Sequence, residues 1–286
     1  MPAVREKSGL QVQAEAGGAA VRGLGEFDLA ATLDCGQAFR WATEDDGAWR
    51  GVACGRVLRV RQRDDGVLLF EDTPLAEFEQ IWRRYFDLDR DYAAIRAAIS
   101  GHPVLREVSA FAGGIRVLSQ DPWETLCSFI ISQNNNIPRI KGIIARLCES
   151  FGDPLPGGEY AFPPPERLAP LGVADLAPLR SGFRAKYILD AARRVSSGEV
   201  ELDPLRTLPL ADARQSLTRI MGVGPKVADC ALLFGCGRIE CFPMDVWIKR
   251  AMKQLFGGEL PACARPYAGI VQQMIFHYAR MTRLNI

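Results

Sequence analysis

One lysine and one aspartate carry most of the chemistry this sequence can do. Lys226 stands in Ile220-Met221-Gly222-Val223-Gly224-Pro225-Lys226-Val227, and Asp245 follows in Cys241-Phe242-Pro243-Met244-Asp245-Val246-Trp247. Pro225 suits the first position of a helix, which puts Lys226 in that helix's first turn. There the positive end of the helix dipole disfavours its ammonium form, and partial burial would free the amine as a nucleophile. A solvated lysine resting on a phosphate is the competing reading. Asp245 precedes a run with helical apolar spacing and reads as its N-cap. A carboxylate fixed in this way can also stabilise positive charge on a sugar whose glycosidic bond is breaking. A cap alone accounts for the same residue.

The elements around Lys226 read as a helical hairpin over about 210–236. Its turn is built on Gly222-Val223-Gly224, where glycine permits positive φ and close approach of another backbone. The second helix opens beside that turn with its first N–H groups pointing outward. Such a terminus binds anions, and a DNA phosphate is the natural one. Other glycine chemistry is missing: there is no third glycine and no preceding strand for a dinucleotide fingerprint, and no Gly-Lys-Ser/Thr for a P-loop. A hairpin with no ligand would use the same residues.

Outside the hairpin the chain divides into a β-rich part and a helical part, an α+β arrangement. Residues 27–72 alternate in Gln37–Ala42, Val57–Arg61 and Val67–Glu71, separated by Asp45-Asp46-Gly47 and Asp64-Asp65-Gly66. Acidic-Gly turns between alternating runs predict an antiparallel meander. From residue 74 the spacing is helical: Leu75, Phe78, Ile81, Trp82 and Tyr85 mark the first helix. Asp121-Pro122-Trp123-Glu124 is a helix start, with a break at Asn134-Asn135-Asn136 and a restart after Pro138. Further helices are predicted over 185–197, 210–220, 225–235, 246–256 and 266–281. The expected units are a disordered 1–26, a β-rich domain over 27–120 and a helical core over 121–286.

Composition excludes several classes. A net charge of +1 means that any nucleic-acid surface is a local patch. The eight cysteines form no C-x-x-C pair, and Cys230, Cys236 and Cys241 fit no common zinc spacing, so free thiols are expected. Two histidines, His102 and His277, give little material for a metal site or a Ser-His-Asp triad. No apolar run reaches membrane-spanning length, and residues 1–26 lack the apolar stretch of a signal peptide.

The hairpin with Lys226, followed by Pro243-x-Asp245, resembles the helix-hairpin-helix Gly/Pro-Asp DNA glycosylases, and within them the lysine-bearing 8-oxoguanine DNA glycosylases. The resemblance runs from about Phe27 to Arg280. It implies a bifunctional enzyme that flips out and excises 8-oxoguanine opposite cytosine. Lys226 would attack C1′, Asp245 would stabilise the sugar, and a Schiff base would then permit β-elimination. No redox cofactor or catalytic metal is implied. The carbonyls of Thr218, Ile220 and Val223 would hold a structural monovalent cation.

Further motifs follow from the same resemblance. Gly36-Gln37-Ala38-Phe39-Arg40-Trp41 looks like a family segment whose glycine carbonyl accepts N7–H of 8-oxoguanine, where normal guanine has a bare acceptor. Asn134-Asn135-Asn136-Ile137-Pro138-Arg139 is similar to a loop whose first Asn fills the space of the flipped base and whose Arg reads the orphaned cytosine. Phe183 and Arg184 match an aromatic wedge and a second cytosine-reading Arg. Gln272 and Phe276, at i and i+4, match a pair that binds the base edge and base plane. Cys230 stacks on its other side in the family, with Phe234 and Pro243 nearby in the pocket. Trp247 departs from the histidine some members place near the 5′ phosphate. The implied partner is double-stranded DNA, with no membrane, acting as a monomer, in the nucleoid-associated cytoplasm of a bacterium or the nucleus of a eukaryote. The same fold acting on another lesion, or a binding module without catalysis, would share much of this pattern. Only the enzyme needs Lys226 and Asp245.

Overall fold

The computed structural model describes residues 9–282. Its N-terminal part is a six-stranded antiparallel sheet: β1 (Gln11–Glu15), β2 (Gly18–Arg22), β3 (Trp41–Thr43), β4 (Trp49–Ala53), β5 (Arg56–Gln62) and β6 (Leu68–Glu71). The spatial order is β1-β2-β6-β5-β4-β3. The two Asp-Asp-Gly turns join β3 to β4 and β5 to β6, with Gly47 at φ +80 and Gly66 at φ +79. That is the left-handed conformation such turns ask of glycine.

Two expectations change here. The stretch expected to be disordered contains β1 and β2, paired from Gln11↔Arg22 to Glu15↔Gly18, and β2 continues the sheet on β6. Its residues are small because the strand lies tight against its neighbours: a Cβ on Gly18 would sit 1.9 Å from the Phe70 carbonyl oxygen. Residues 1–8 lie outside the described residues. The strand expected over Gln37–Ala42 is confined to Trp41–Thr43. The alternation there serves two cores. Trp41 packs with the sheet, beside Tyr85 and Phe86, whereas Phe39 meets Phe129 edge-on at 5.7 Å in the helical part.

A helical run over Leu75–Tyr85, with a π-helical turn at Phe78–Trp82, covers one face of the sheet. Phe70, Phe78, Trp82 and Phe86 are fully buried there. The chain then enters a second core. Helices Tyr92–Ile99 and Pro103–Ala112 fall within the stretch expected to be β-rich, yet Ile95, Leu105 and Val108 share a core with Ile130, Leu233 and Ile275. Contact across these apolar faces ties residues 92–112 to the helical body.

That body is organised on Pro225–Cys236, every residue of which from Val227 on is buried. It packs on Pro122–Ser132 so closely that a Cβ on Gly235 would meet Pro122 Cα at 2.9 Å. Around this pair lie Ile137–Phe151, Arg184–Ser196, Leu210–Thr218, Val246–Phe256 and Ala268–Met281. The predicted caps are present: Asp121 accepts from the Glu124 N–H at 2.8 Å and Asn136 from the Arg139 N–H at 3.0 Å. Among the described residues no helix is long and apolar enough to cross a membrane.

Candidate active site

The hairpin that carries Lys226 is braced on three sides. Its two helices, Leu210–Thr218 and Pro225–Cys236, are joined by Arg214 Nε donating to Asp229 Oδ1 at 2.6 Å. The Met221 N–H donates to Asp190 Oδ2 at 2.7 Å, and the Val223 N–H closes the turn on the Ile220 carbonyl at 3.0 Å. Gly222 has φ +78, and a Cβ there would strike the Tyr187 ring at 2.4 Å, so both conformation and space demand glycine. The two turn glycines differ. Gly224 is extended, at φ −97, and a Cβ on it would meet nothing within 4 Å among the described residues. Positive φ is therefore a property of Gly222, while Gly224 caps the helix with its backbone open to the outside.

Lys226 occupies the second position of that helix and is partly buried, its Nζ 5.0 Å from the centre of the Phe129 ring. One turn on, burial pushes the Cys230 thiol up to about 11, with the Lys226 ammonium acting in the opposite direction. One further turn brings Phe234, stacked on Phe129 at 5.3 Å with an 18° interplanar angle. Asp245 caps Val246–Phe256: its Oδ1 accepts from the Ile248 N–H at 2.7 Å, leaving Oδ2 uncommitted to the helix.

Gly36 approaches from the N-terminal part. Its φ is +77, and a Cβ would lie 3.6 Å from Phe276 Cε1. The neighbouring Gln37 side chain fixes this segment. Its Nε2 donates to the carbonyls of Thr32 and Arg116, both at 2.8 Å, and its Oε1 accepts from the Leu118 N–H at 2.9 Å. Gln120 donates to the Gln37 carbonyl at 2.7 Å. A fully satisfied buried amide of this kind holds backbone in one conformation.

These segments converge. Gly36, Lys226, Cys230, Phe234, Pro243, Asp245, Gln272 and Phe276 line a single cavity, together with Cys35, Phe129 and Gln273. It is narrow, about 70 Å³. Burial lifts the Cys35 thiol to about 12, so both cavity thiols stay uncharged at neutral pH. The eight residues assigned from sequence to the catalytic and base-binding sets all meet here. The other three carry no special signal. Phe129 lies in a helix buried on nearly all sides, Cys35 precedes a glycine in a loop, and Gln273 follows a glutamine that the i, i+4 pattern already accounts for.

The residues assigned to DNA lie outside the cavity. Asn134 is exposed and left-handed at φ +47, a conformation asparagine tolerates better than most residues. Arg139 is exposed on the next helix. Phe183 is 47% exposed and meets Tyr187 edge-on at 5.7 Å, so the aromatic that packs under Gly222 also supports Phe183. Arg184, matched to the second cytosine-reading Arg, is engaged by the protein's own backbone. It is buried, with its Nε donating to the Gln133 carbonyl at 2.9 Å, Nη2 to the carbonyls of Gln133 and Asn134, and Nη1 to that of Ser181 at 3.2 Å. Its planar fork holds the Asn134 loop in place. Trp247 is 53% exposed beside Val246, which is 62% exposed, at the start of the Asp245-capped helix.

Comparison with known proteins points to one family. Residues 22–126 match the 8-oxoguanine DNA glycosylase N-terminal domain family, and residues 127–261 match the HhH-GPD superfamily of base excision DNA repair proteins. The two meet inside the Pro122–Ser132 helix, where the chain is continuous. An N-glycosylase/DNA lyase of Saccharomyces cerevisiae is 30% identical over 262 residues, covering 80% of this chain and 68% of that protein. Among solved structures, MBOgg1 in complex with a low-affinity DNA ligand has 44% identity and a TM-score of 0.89, over 96% of this chain and 99% of that one. The 8-oxoguanine glycosylase/lyase of Clostridium acetobutylicum, in complex with double-stranded DNA containing cytosine opposite 8-oxoguanine, has 36% identity and a TM-score of 0.89 over the same shares.

Proposed function

The chain belongs to the 8-oxoguanine DNA glycosylases of the helix-hairpin-helix base excision repair superfamily, and we propose that its Gly36–Lys226–Phe276 cavity is where that chemistry takes place. The protein is a DNA glycosylase with AP lyase activity. It excises 8-oxoguanine opposite cytosine and then cleaves the abasic strand.

Duplex DNA docks on the hairpin, with a phosphate on the N–H groups that open the Pro225–Cys236 helix beside Gly224. Phe183 enters the stack as a wedge, and Asn134 fills the space of the extruded nucleotide. In the cavity, Phe276 and Cys230 face the two sides of the base, Phe234 and Pro243 complete its walls, and Gln272 meets its Watson–Crick edge. The Gly36 carbonyl accepts N7–H, which 8-oxoguanine has and guanine lacks. Opposite the lesion, exposed Arg139 donates to the O2 and N3 of cytosine. Arg184 holds the loop that presents Asn134.

Lys226, once its ammonium has given up a proton to solvent, attacks C1′ as the C1′–N9 bond breaks. The electron pair leaves with the base, which takes up a proton. The Asp245 carboxylate, with one oxygen anchored by the Ile248 N–H, stabilises positive charge on the sugar during this step. The sugar ring opens to a Schiff base on Lys226. Loss of a C2′ proton then expels the 3′ phosphate by β-elimination.

A monovalent cation on the carbonyls of Thr218, Ile220 and Val223 would add positive charge beside the bound phosphate. The tight turn closed by the Val223 N–H on the Ile220 carbonyl leaves that oxygen its second lone pair. The enzyme acts as a monomer. The enzyme acts where genomic DNA lies, in the nucleoid of a bacterium or the nucleus of a eukaryote.

The observation that supports the assignment is the meeting of Lys226, Asp245, Gly36 and Phe276 in one cavity. Borohydride trapping on a duplex containing 8-oxoguanine opposite cytosine tests it. The wild type should form a covalent adduct and Lys226→Gln none. A trapped adduct with Lys226→Gln would place the nucleophile elsewhere.

A further inference from the structure

Beside Gln272, the Ala268–Met281 helix presents a second amide to the cavity. Gln273 is 4% exposed and lines the same space. Its Nε2 donates to Gln272 Oε1 at 3.1 Å, while Gln272 Nε2 donates to the Pro243 carbonyl at 3.4 Å. This chain has only one consistent polarity. A carbonyl can only accept, so the Pro243 oxygen selects the NH2 end of Gln272. The Gln272 oxygen then faces Gln273 and selects its NH2 end in turn. The remaining oxygen, Gln273 Oε1, is buried and has no hydrogen-bond partner among the described residues. A buried acceptor left unpaired is costly, and a donor arriving with a ligand relieves that cost.

We propose that Gln273 is a specificity-determining residue of this pocket. It fixes the polarity of the Gln272 amide and offers its own Oε1 to the exocyclic 2-amine of the flipped base. The proposal rests on the reading of the cavity as an oxidised-guanine site. A guanine-type edge carries the N1–H and 2-amine donors, whereas a hypoxanthine-type edge lacks the 2-amine and leaves Oε1 unpaired. Discrimination by an unmatched buried polar group is stronger than discrimination by shape alone.

The test is single-turnover base release by the full chain from two duplexes, with 8-oxoguanine or 8-oxohypoxanthine opposite cytosine. These lesions differ only in the 2-amine. Gln273→Met keeps side-chain length and removes both donor and acceptor. The wild type should prefer 8-oxoguanine by about tenfold or more, the worth of one buried hydrogen bond. Gln273→Met should bring the ratio close to one. The ratio is internal to each preparation, so loss of folded protein cancels. A ratio unchanged by Gln273→Met, whether both rates persist or fall together, overturns the proposal. A wild type that releases neither base overturns the assignment of the cavity itself, and the two failures are thereby distinct.

Discussion

Gly36 lies against the ring of Phe276 with its backbone in the left-handed region, at φ +77, and a Cβ in its place would touch Phe276 Cε1 at only ordinary van der Waals distance, 3.6 Å. Conformation, then, is what the glycine supplies. Gly36→Ala should cost about 1–2 kcal/mol through backbone strain, seen as a lower denaturation midpoint. It should also turn the carbonyl that meets N7–H, so that 8-oxoguanine release falls more than cleavage of a preformed abasic site. Equal losses in the two assays would mean that Gly36 is only structural.

Asp245 combines a cap with a charge, and two substitutions separate them. Asparagine caps helices as well as aspartate does, so Asp245→Asn should keep the Ile248 N–H bond and leave stability within about 0.5 kcal/mol. Removing the charge should slow base release by about a hundredfold or more. Asp245→Ala should lose the cap as well, at about 1 kcal/mol. Full activity in Asp245→Asn would reduce the residue to its cap.

The site was legible in sequence where chemistry demands a special backbone or a fixed spacing. The hairpin glycines, the Asp245 cap and the i, i+4 pair Gln272 and Phe276 are such places, and each lines the cavity or frames it. What stayed hidden depends on partners distant in sequence. Phe129 acquires its role by stacking on Phe234, within a helix so fully buried that periodicity marks no face. Arg184 looks like a free guanidinium until the loop carbonyls at Gln133 and Asn134 reach it. β2 was unreadable because Gly18-Ala19-Ala20 carries little hydrophobic signal, and its burial comes from pairing with β6.

Glu124 gives the fold a pH dependence. Burial raises its carboxyl to about 7 from an ordinary 4.5, with Arg40, whose Nη1 is 3.6 Å from its Oε2, acting in the opposite direction. Between these values the native state holds a proton that the unfolded chain releases. Stability therefore falls as pH rises from about 4.5 to 7, by a few kcal/mol at most, and the penalty is complete above pH 7. Glu124→Gln removes that titration. Urea midpoints at pH 5 and pH 8 should differ less in the variant than in the wild type, and parallel curves would count against the shift.

Gly222 couples the phosphate-binding turn to the wedge through one ring. Tyr187 packs where the Gly222 Cβ would be and supports Phe183 edge-on. Gly222→Ala adds both strain at φ +78 and a clash with that ring, together at least about 2 kcal/mol. Duplex affinity should fall and become less steeply dependent on salt as the phosphate contact is lost. A variant with unchanged salt slope would show that the turn does not hold a phosphate.

The two arginines assigned to the opposite base should fail in different ways. Arg139 is exposed, so Arg139→Ala should leave stability within about 0.5 kcal/mol and flatten the preference for cytosine over adenine. Arg184 is buried against three backbone carbonyls. Arg184→Ala strips their donors, at about 1–3 kcal/mol, and releases the Asn134 loop on which every substrate depends. Base release should then fall opposite cytosine and adenine alike, along with the denaturation midpoint. If Arg184→Ala instead changes only the opposite-base preference at full stability, its carbonyl contacts give way to cytosine when DNA binds, and the residue is a reader after all.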